Sequence, residues 1–210
     1  GKLAVDFGHL KNYIGAFKEA KEIVIFTEFL RTLSERHLGN GWVEMLKHAL
    51  IADLEHWERL MHSKPANLIK DTHLLQQSVA IKRRVVEEDP FEQGKRKILN
   101  AGHTIGHAIE SSALSQKKDV LHGEAVAAGL MVELLISEKL SKLSSNENEA
   151  IFQSLLPFLP DKFWLATLST DNLWQYALKD KKNMKEVAMS LIGPPGHCSW
   201  DNSVSFELFQ

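Results

Sequence analysis

The chain has 210 residues, 44% of them hydrophobic and 25% charged, which suits one soluble domain or a domain plus part of another. A net charge of −2 gives no electrostatic footprint for nucleic acid or an anionic membrane, so neither is expected as a partner. Cys198 is the only cysteine, which excludes an internal disulfide and points to a reducing, cytoplasmic compartment; no uncharged apolar run reaches about 18 residues and no signal peptide is read.

In chain order, the β-branched run Glu22 to Phe26 (EIVIF) predicts a short strand, preceded by the turn-prone GHLKN and followed by Thr27, a candidate helix cap. It has the look of the edge of an α/β unit. Because the first residues already read as the inside of a domain, the chain is expected to be a fragment. Helices then run from about Ser34, with breaks near Pro65, Pro90, Leu121, residues 144–146 and residues 157–160.

From Gly39 to Met61 the residues Trp42, Met45, Leu46, Ala49, Leu50, Leu54, Trp57 and Met61 form a helical apolar stripe. Glu44 and Lys47 are neighbours on that helix. They are either a solvated i, i+3 ion pair contributing a few tenths of a kcal/mol, or the carboxylate donor and its partner in a site. Between Ala66 and Val86, apolar Leu74, Leu75, Val79, Ile81, Val85 and Val86 span a face from whose middle Lys82 projects. A lysine there must snorkel outward, pair with an anion or lower its pKa; a cationic head on an apolar wall is also how a site holds phosphate or carboxylate.

Arg96, Asn100, His103, His107 and Glu110 fall at i, i+4, i+7, i+11 and i+14, one polar file along what reads as a buried helix. Gly102 and Gly106 sit on the packing side, where they allow a neighbour to approach closely at about 1 kcal/mol each in helix propensity. His103 and His107 have the i, i+4 spacing that offers two imidazoles to one metal; the plain alternative is a pair of surface or capping histidines. His122 opens the apolar segment 121–140, a helix expected to be buried on nearly all sides, with Gly123 and Gly129 permitting close contacts. The positive end of the helix dipole keeps its ring neutral, as ligation requires, although a helix-capping histidine reads the same way. The histidines at 9, 37, 56, 62, 73 and 197 show no convergent spacing and are read as surface residues. Near the end, EVAMSLIG and SVSFELF predict a strand pair around the turn PPGHCSWDN.

The blocks GWVEMLKHALI, SVAIKRRVVEEDPFEQGKRKILNAGHTIGHAIES, LHGEAVAAGLMVE and DKKN, in that order, resemble the 3-dehydroquinate synthase family, as does the opening GKLAVDFGHLKNYIGAF. The resemblance covers essentially the whole chain. It implies a mainly α, multihelical C-terminal domain over residues 33–210 that binds metal and substrate. Residues 1–32 would be a small strand remnant of a Rossmann-like NAD domain, and a short C-terminal strand pair completes the fold. It further implies conversion of 3-deoxy-arabino-heptulosonate 7-phosphate to 3-dehydroquinate with release of phosphate, through transient oxidation by NAD, β-elimination and an aldol closure. Zinc, or cobalt in its place, and NAD are the implied cofactors. A small sugar phosphate, the N-terminal NAD-binding domain of the same enzyme and a second copy in a homodimer are the implied partners.

By the resemblance the metal ligands fall on Glu44, His103 and His122, and the proton-transfer histidine on His107, so the pair suggested by spacing is only half the ligand set. Two histidines and one carboxylate leave a coordination position open, as in a catalytic zinc site. Lys47, Lys82, Arg96 and Asn100 match the family's substrate contacts, with Lys47 and Asn100 also in the catalytic group. Lys181 or Lys182 of DKKN matches another contact, although that stretch also reads as a solvated charge run. Lys11 and Asn12 are expected to face the substrate across the cleft. Lys2, Lys11, Phe29, Leu30, Arg31 and Thr32 fall where the family touches NAD, while its glycine-rich turn is expected upstream, so this chain alone is expected to show no turnover. Ala101, Leu3 and Val43 depart from the family's usual aromatic, threonine and alanine without removing a ligand or base. The rival expectations are a related sugar-phosphate cyclase of the deoxy-inosose or valiolone type, against which Arg96 argues as a carboxylate partner, and a non-catalytic, zinc-stabilised helical domain.

Overall fold

Ser34 opens the helical part of the chain by accepting the His37 amide on its hydroxyl, and the helix that follows, α1, runs over Glu35–Ala52. The computed structural model describes residues 2–7, 10–178 and 186–210, with the side chains of Lys2, Asp6 and residues 10–13 outside the description. Lys181 and Lys182 therefore lie outside the described residues, as do the side chains of Lys2, Lys11 and Asn12.

The sequence reads residues 39–61 as one helix, but Asp53 breaks it. Its backbone is extended, and its carboxylate accepts the His56 amide at 2.9 Å to start α2, Leu54–Met61. A 3-10 turn over Pro65–Ile69 leads to α3, Thr72–Glu88, capped by Asp71. His56 is fully buried rather than on the surface, because with Trp57 and Leu60 it forms the inward face of α2.

The single helix expected across residues 96–110 is also two elements. Lys95–Asn100 forms a 3-10 helix, Gly102 takes φ 75°, and α4 begins only at His103 and runs to Ser115. A left-handed residue cannot continue a right-handed helix, so the polar file changes direction at Gly102. Next, α5 spans His122–Lys139 and is buried on nearly every side, as its composition predicts. Val126, Ala127, Leu130 and Leu134 pack into a core with α1, α2 and α3, while Ala125, Ala128 and Ile136 pack into a second core with α4 and the C-terminal elements. It is the axle of the domain.

The chain continues through α6 (Ser145–Leu155), a 3-10 turn at Leu156–Phe158, α7 (Lys162–Leu165) and α8 (Thr170–Leu178). Two antiparallel strand pairs complete the described residues: β1 (Lys2–Phe7) with β2 (Leu10–Phe17), and β3 (Glu186–Ile192) with β4 (Cys198–Ser205). The last strand starts inside the segment read as a turn, and Phe206–Phe209 forms α9 instead of extending the strand, capped by the Ser205 hydroxyl. EIVIF is no strand. Ile23 and Val24 are more than three-quarters exposed, no described strand pairs with the segment, and Thr27 is the first residue of a 3-10 helix (Thr27–Thr32) that has Phe26 at its cap. The mainly α expectation and the C-terminal strand pair stand, while the strand expected at EIVIF is replaced by an antiparallel pair at residues 2–17 that was not foreseen. Among the described residues, no helix is long and apolar enough to cross a membrane.

Candidate metal centre

Three helices deliver the site. Glu44 projects from the middle of α1, His103 is the first residue of α4, and His122 is the first residue of α5. The start of α5 is fixed to α1 by Arg36, which donates to Glu124 at 2.5 Å and to Asp119 at 2.6 Å, and by the Gly123 amide, which donates to the Asn40 side chain.

One carboxylate oxygen, Glu44 Oε1, stands 3.7 Å from His103 Nε2 and 3.7 Å from His122 Nε2. It is buried and has no hydrogen-bond partner, although a buried carboxylate oxygen without one costs about 1–3 kcal/mol. Ligand atoms around a tetrahedral zinc with bonds near 2.0–2.1 Å lie roughly 3.3–3.5 Å apart, so a slight contraction would place all three on one ion. The donor set fits a divalent metal, and the orphaned oxygen sits where such an ion would satisfy it.

Each of the three is held from behind. Glu44 Oε2 accepts Lys47 Nζ at 2.8 Å; His103 Nδ1 lies 3.0 Å from the Ala101 carbonyl; His122 Nδ1 lies 3.2 Å from Glu110 Oε1. A carbonyl or carboxylate on Nδ1 fixes the tautomer that leaves Nε2 free to ligate. Burial opposes ionisation of Glu44, but the Lys47 charge and hydrogen bond win and hold it at about 2. Burial, reinforced by Lys47, pushes His103 down to about 3, so its ring is neutral at pH 7.

The remaining site residues fall into different surroundings. His107, one turn along α4, is half exposed, with its ring 5.5 Å from that of His103 and 6.2 Å from that of His122. Lys47 is 2% exposed and inward of Glu44, so the pair is not the solvated contact that i, i+3 spacing also allows; burial lowers its pKa against the pull of Glu44. Lys82 is exposed, while Ile81 and Val85 take the buried face of α3, yet its charge is felt at Lys47 and His48. Arg96 is buried on the 3-10 helix and donates to the Pro90 carbonyl at 2.5 Å. Asn100 donates to Glu92 at 2.7 Å beside a cavity of about 420 Å³ that Thr104, Met189 and Asp201 also line. In the 3-10 helix 27–32, Phe29 is 74% exposed and Leu30 packs on the first core, while Arg31 is tied to Glu28 at 2.7 Å and the Thr32 hydroxyl to the Phe29 carbonyl.

Sequence reasoning passed over His48, Glu110 as a partner of His122, and Glu133. His48 is buried, its Nδ1 lies 2.7 Å from the Ser78 hydroxyl and its Nε2 lies 4.0 Å from Glu44; burial, with Lys47, lowers its pKa to about 3. Its i, i+4 spacing from Glu44 was the available signal. His107, Glu110 and His122 form a second group with metal-ligand spacing, but it shares His122 with the first and is more exposed.

Residues 41–183 match the family model described as 3-dehydroquinate synthase C-terminal, and residues 1–40 match 3-dehydroquinate synthase N-terminal. The chain is 40% identical over 185 residues to a 3-dehydroquinate synthase of Parabacteroides distasonis, covering 87% of the chain and 52% of that protein. It is 36% identical over 216 residues to one of Leptospira interrogans, covering 99% and 58%. The chain thus spans little more than half the length of these curated relatives. Among solved structures it resembles 2-epi-5-epi-valiolone synthase from Streptomyces hygroscopicus with NAD+ and Zn2+ bound, at TM-score 0.82 and 26% identity over 99% of the chain and 59% of that protein. A 2-deoxy-scyllo-inosose synthase complexed with carbaglucose-6-phosphate, NAD+ and Co2+ matches in fold, at TM-score 0.80 and 23% identity over 99% and 59%.

Proposed function

The chain belongs to the 3-dehydroquinate synthase family, and from that premise we propose that it carries the metal- and substrate-binding half of a 3-dehydroquinate synthase. The reaction proposed is conversion of 3-deoxy-arabino-heptulosonate 7-phosphate to 3-dehydroquinate and phosphate. The observation that carries the reading is the partnerless Glu44 Oε1 facing two imidazole nitrogens at 3.7 Å.

Glu44, His103 and His122 are the proposed metal ligands, with zinc or cobalt the metal. Bound there, the ion supplies Lewis-acid stabilisation of negative charge developing on sugar oxygens, an effect of several kcal/mol. The chain's own residues do the rest. Lys47 keeps Glu44 ionised and aimed; Ala101 and Glu110 hold the imidazoles in the ligating tautomer. His107, exposed one turn from His103, is the group assigned to hold and move a proton, the contribution for which a histidine is suited. Lys82, Arg96 and Asn100 bind the anionic and hydroxyl groups of the substrate, and Lys11, Asn12, Lys181 and Lys182 are assigned to the same task on the family resemblance.

NAD is proposed on the same premise. Residues 29–32 do not make a dinucleotide cradle by themselves, since Phe29 points to solvent and Arg31 is engaged by Glu28. We assign the cradle to an N-terminal NAD-binding domain, of which residues 1–32 would be the tail, and take the working assembly as a homodimer, which sedimentation would read.

The test has two arms. Zinc titration should saturate at one ion per chain and be lost in His103→Ala and His122→Ala. Phosphate release with zinc and NAD, from the chain joined to its N-terminal domain, should require the heptulosonate 7-phosphate. Preference for glucose 6-phosphate or sedoheptulose 7-phosphate would move the assignment to a deoxy-inosose or valiolone cyclase.

A further inference from the structure

The Gly102 peptide unit is where the element carrying Arg96 and Asn100 meets the helix carrying His103 and His107, and a single face of α5 grips it. Gly102 takes φ 75°, and a Cβ on it would lie 2.7 Å from Leu130 Cγ and 2.8 Å from the Val126 carbonyl, so glycine is required both for conformation and for space. Its carbonyl accepts the Gly106 amide at 2.9 Å and closes the first turn of α4. That same carbonyl rests on Gly129 of α5, where an added Cβ would fall far inside contact distance of it. One turn further along α5, Glu133 Oε2 accepts the Gly102 amide at 2.7 Å. Gly129 is therefore a socket and Glu133 a hook, four residues apart, acting on the two backbone ends of one residue.

Glu133 is wholly buried in a mostly apolar helix, an arrangement that costs several kcal/mol for a carboxylate and is uncommon without a purpose. The Gly102 amide has no partner within α4, because it precedes the helix, and is too deep to reach water. Burial pushes the Glu133 carboxyl well above the usual range, against the Gly102 bond and the Lys47 charge, and in either protonation state Oε2 offers the amide an acceptor lone pair.

We propose that Glu133 is a positioning residue for the metal centre: by holding the Gly102 amide it sets the angle between the substrate-binding 3-10 helix and α4, and so the place of His103 relative to His122 on its own helix. This rests on the metal-site reading above, but not on the reaction assigned there. Glu133 accepts the Gly102 amide and is outside the Glu44, His103 and His122 group. It acts through the backbone one residue before a ligand, on the helix that also begins with another ligand, so a shift at the hook is felt as a change in His103 to His122 spacing.

The experiment uses the full chain and two variants: Glu133→Gln, which keeps an acceptor oxygen in the same volume, and Glu133→Met, which keeps the volume and removes the acceptor. Zinc affinity is measured by competition with a chromophoric chelator under conditions where circular dichroism shows each protein folded, and amide hydrogen exchange is followed at Gly102. The expected result is zinc affinity within about 3-fold of the parent for Gln, and a loss of 10- to 100-fold for Met, the range typical of groups that orient a metal ligand. Gly102 should be protected in the parent and in Gln. A folded Met variant that binds zinc as the parent does would overturn the proposal. So would a Gln variant with Met-like loss, or fast Gly102 exchange in the parent, which decides the matter even if Met fails to fold. Absence of zinc binding by the parent would instead sink the metal-site reading, and the Gly102 protection pattern would still report on the hook.

Discussion

Substituting Gly129 by alanine tests whether metal geometry is set by the approach of α4 to α5. The new Cβ would lie 2.8 Å from Gly106 N and 2.9 Å from Gly102 C, and closer still to the Gly102 oxygen, all of it backbone that no rotamer change can move aside. Ordinary contact requires about 3.4 Å or more, so α4 must retreat by something on the order of 1 Å. Overpacking of this kind costs about 1–3 kcal/mol, partly offset by about 1 kcal/mol of helix propensity gained from alanine. The net loss of about 0–2 kcal/mol should lower Tm by at most roughly 8 °C in a chain of this size. Metal-ligand distances tolerate only about 0.2 Å, so the larger effect should be on zinc: Kd raised at least about 10-fold. The control is Gly41→Ala on α1, where a Cβ meets nothing within 4 Å and stability should rise by about 0.5–1 kcal/mol with zinc affinity unchanged. Thermal melts with and without zinc, and chelator competition, read both. If Gly129→Ala behaved like Gly41→Ala, the claim that glycine contacts set the ligand spacing would be wrong.

Removing Glu44 strands a buried ammonium: Glu44→Ala should cost about 3–5 kcal/mol in urea unfolding with chelator present, beyond abolishing zinc binding, because Lys47 is fully enclosed. Without metal, acid should destabilise the fold between pH 6.5 and 3. His48 and His103 have folded pKa values near 3 against 6.5, so the unfolded chain binds the extra protons, and stability present above 6.5 is lost as pH falls through that window. At pH 5 each contributes a loss of about 2 kcal/mol, and His48→Gln should remove its own share, making the slope shallower in unfolding curves taken at successive pH values. His107→Asn should leave zinc affinity within about 2-fold yet lower phosphate release by roughly 10²–10⁴-fold when the chain is joined to its N-terminal domain. Equal losses in binding and turnover would make His107 a ligand instead.

What the sequence disclosed and what it hid divide along physical lines. Long periodic helices were legible: Ser34 marks the start of α1, and the composition of residues 121–140 marks an axle buried on nearly every side. The break at Gly102 was not, because a 3-10 turn followed by an α-helix keeps nearly the same apolar spacing over so few residues, and glycine signals permission to take positive φ without requiring it. EIVIF has strand composition, but a strand needs a neighbour, and none of the described strands supplies one. Glu44, His103 and His122 converge in space through three helices, which no local pattern encodes; only the family resemblance joined them. Glu133 was readable in principle. A helix apolar on nearly every side tends to bury a carboxylate near its middle, so the amino-acid pattern by itself marks this residue as a conflict.

That conflict and the others near it share one direction. Glu44 Oε1, His48 Nε2 and Glu133 Oε1 are all buried polar atoms without partners, within the set of groups that sense the Lys47 charge. At about 1–3 kcal/mol each, such atoms would be a poor bargain for a domain whose only task was to fold, and apolar replacements of the same shape would be more stable. A divalent ion on Glu44 relieves the first directly. Binding should then appear as folding stability, by RT ln(1 + [Zn]/Kd), or about 2.7 kcal/mol at 100 times Kd. A purely structural zinc would need a fourth protein ligand, and the described residues around Glu44, His103 and His122 offer none in the same group. On the proposed metal assignment, the three-ligand group would therefore leave a coordination position open.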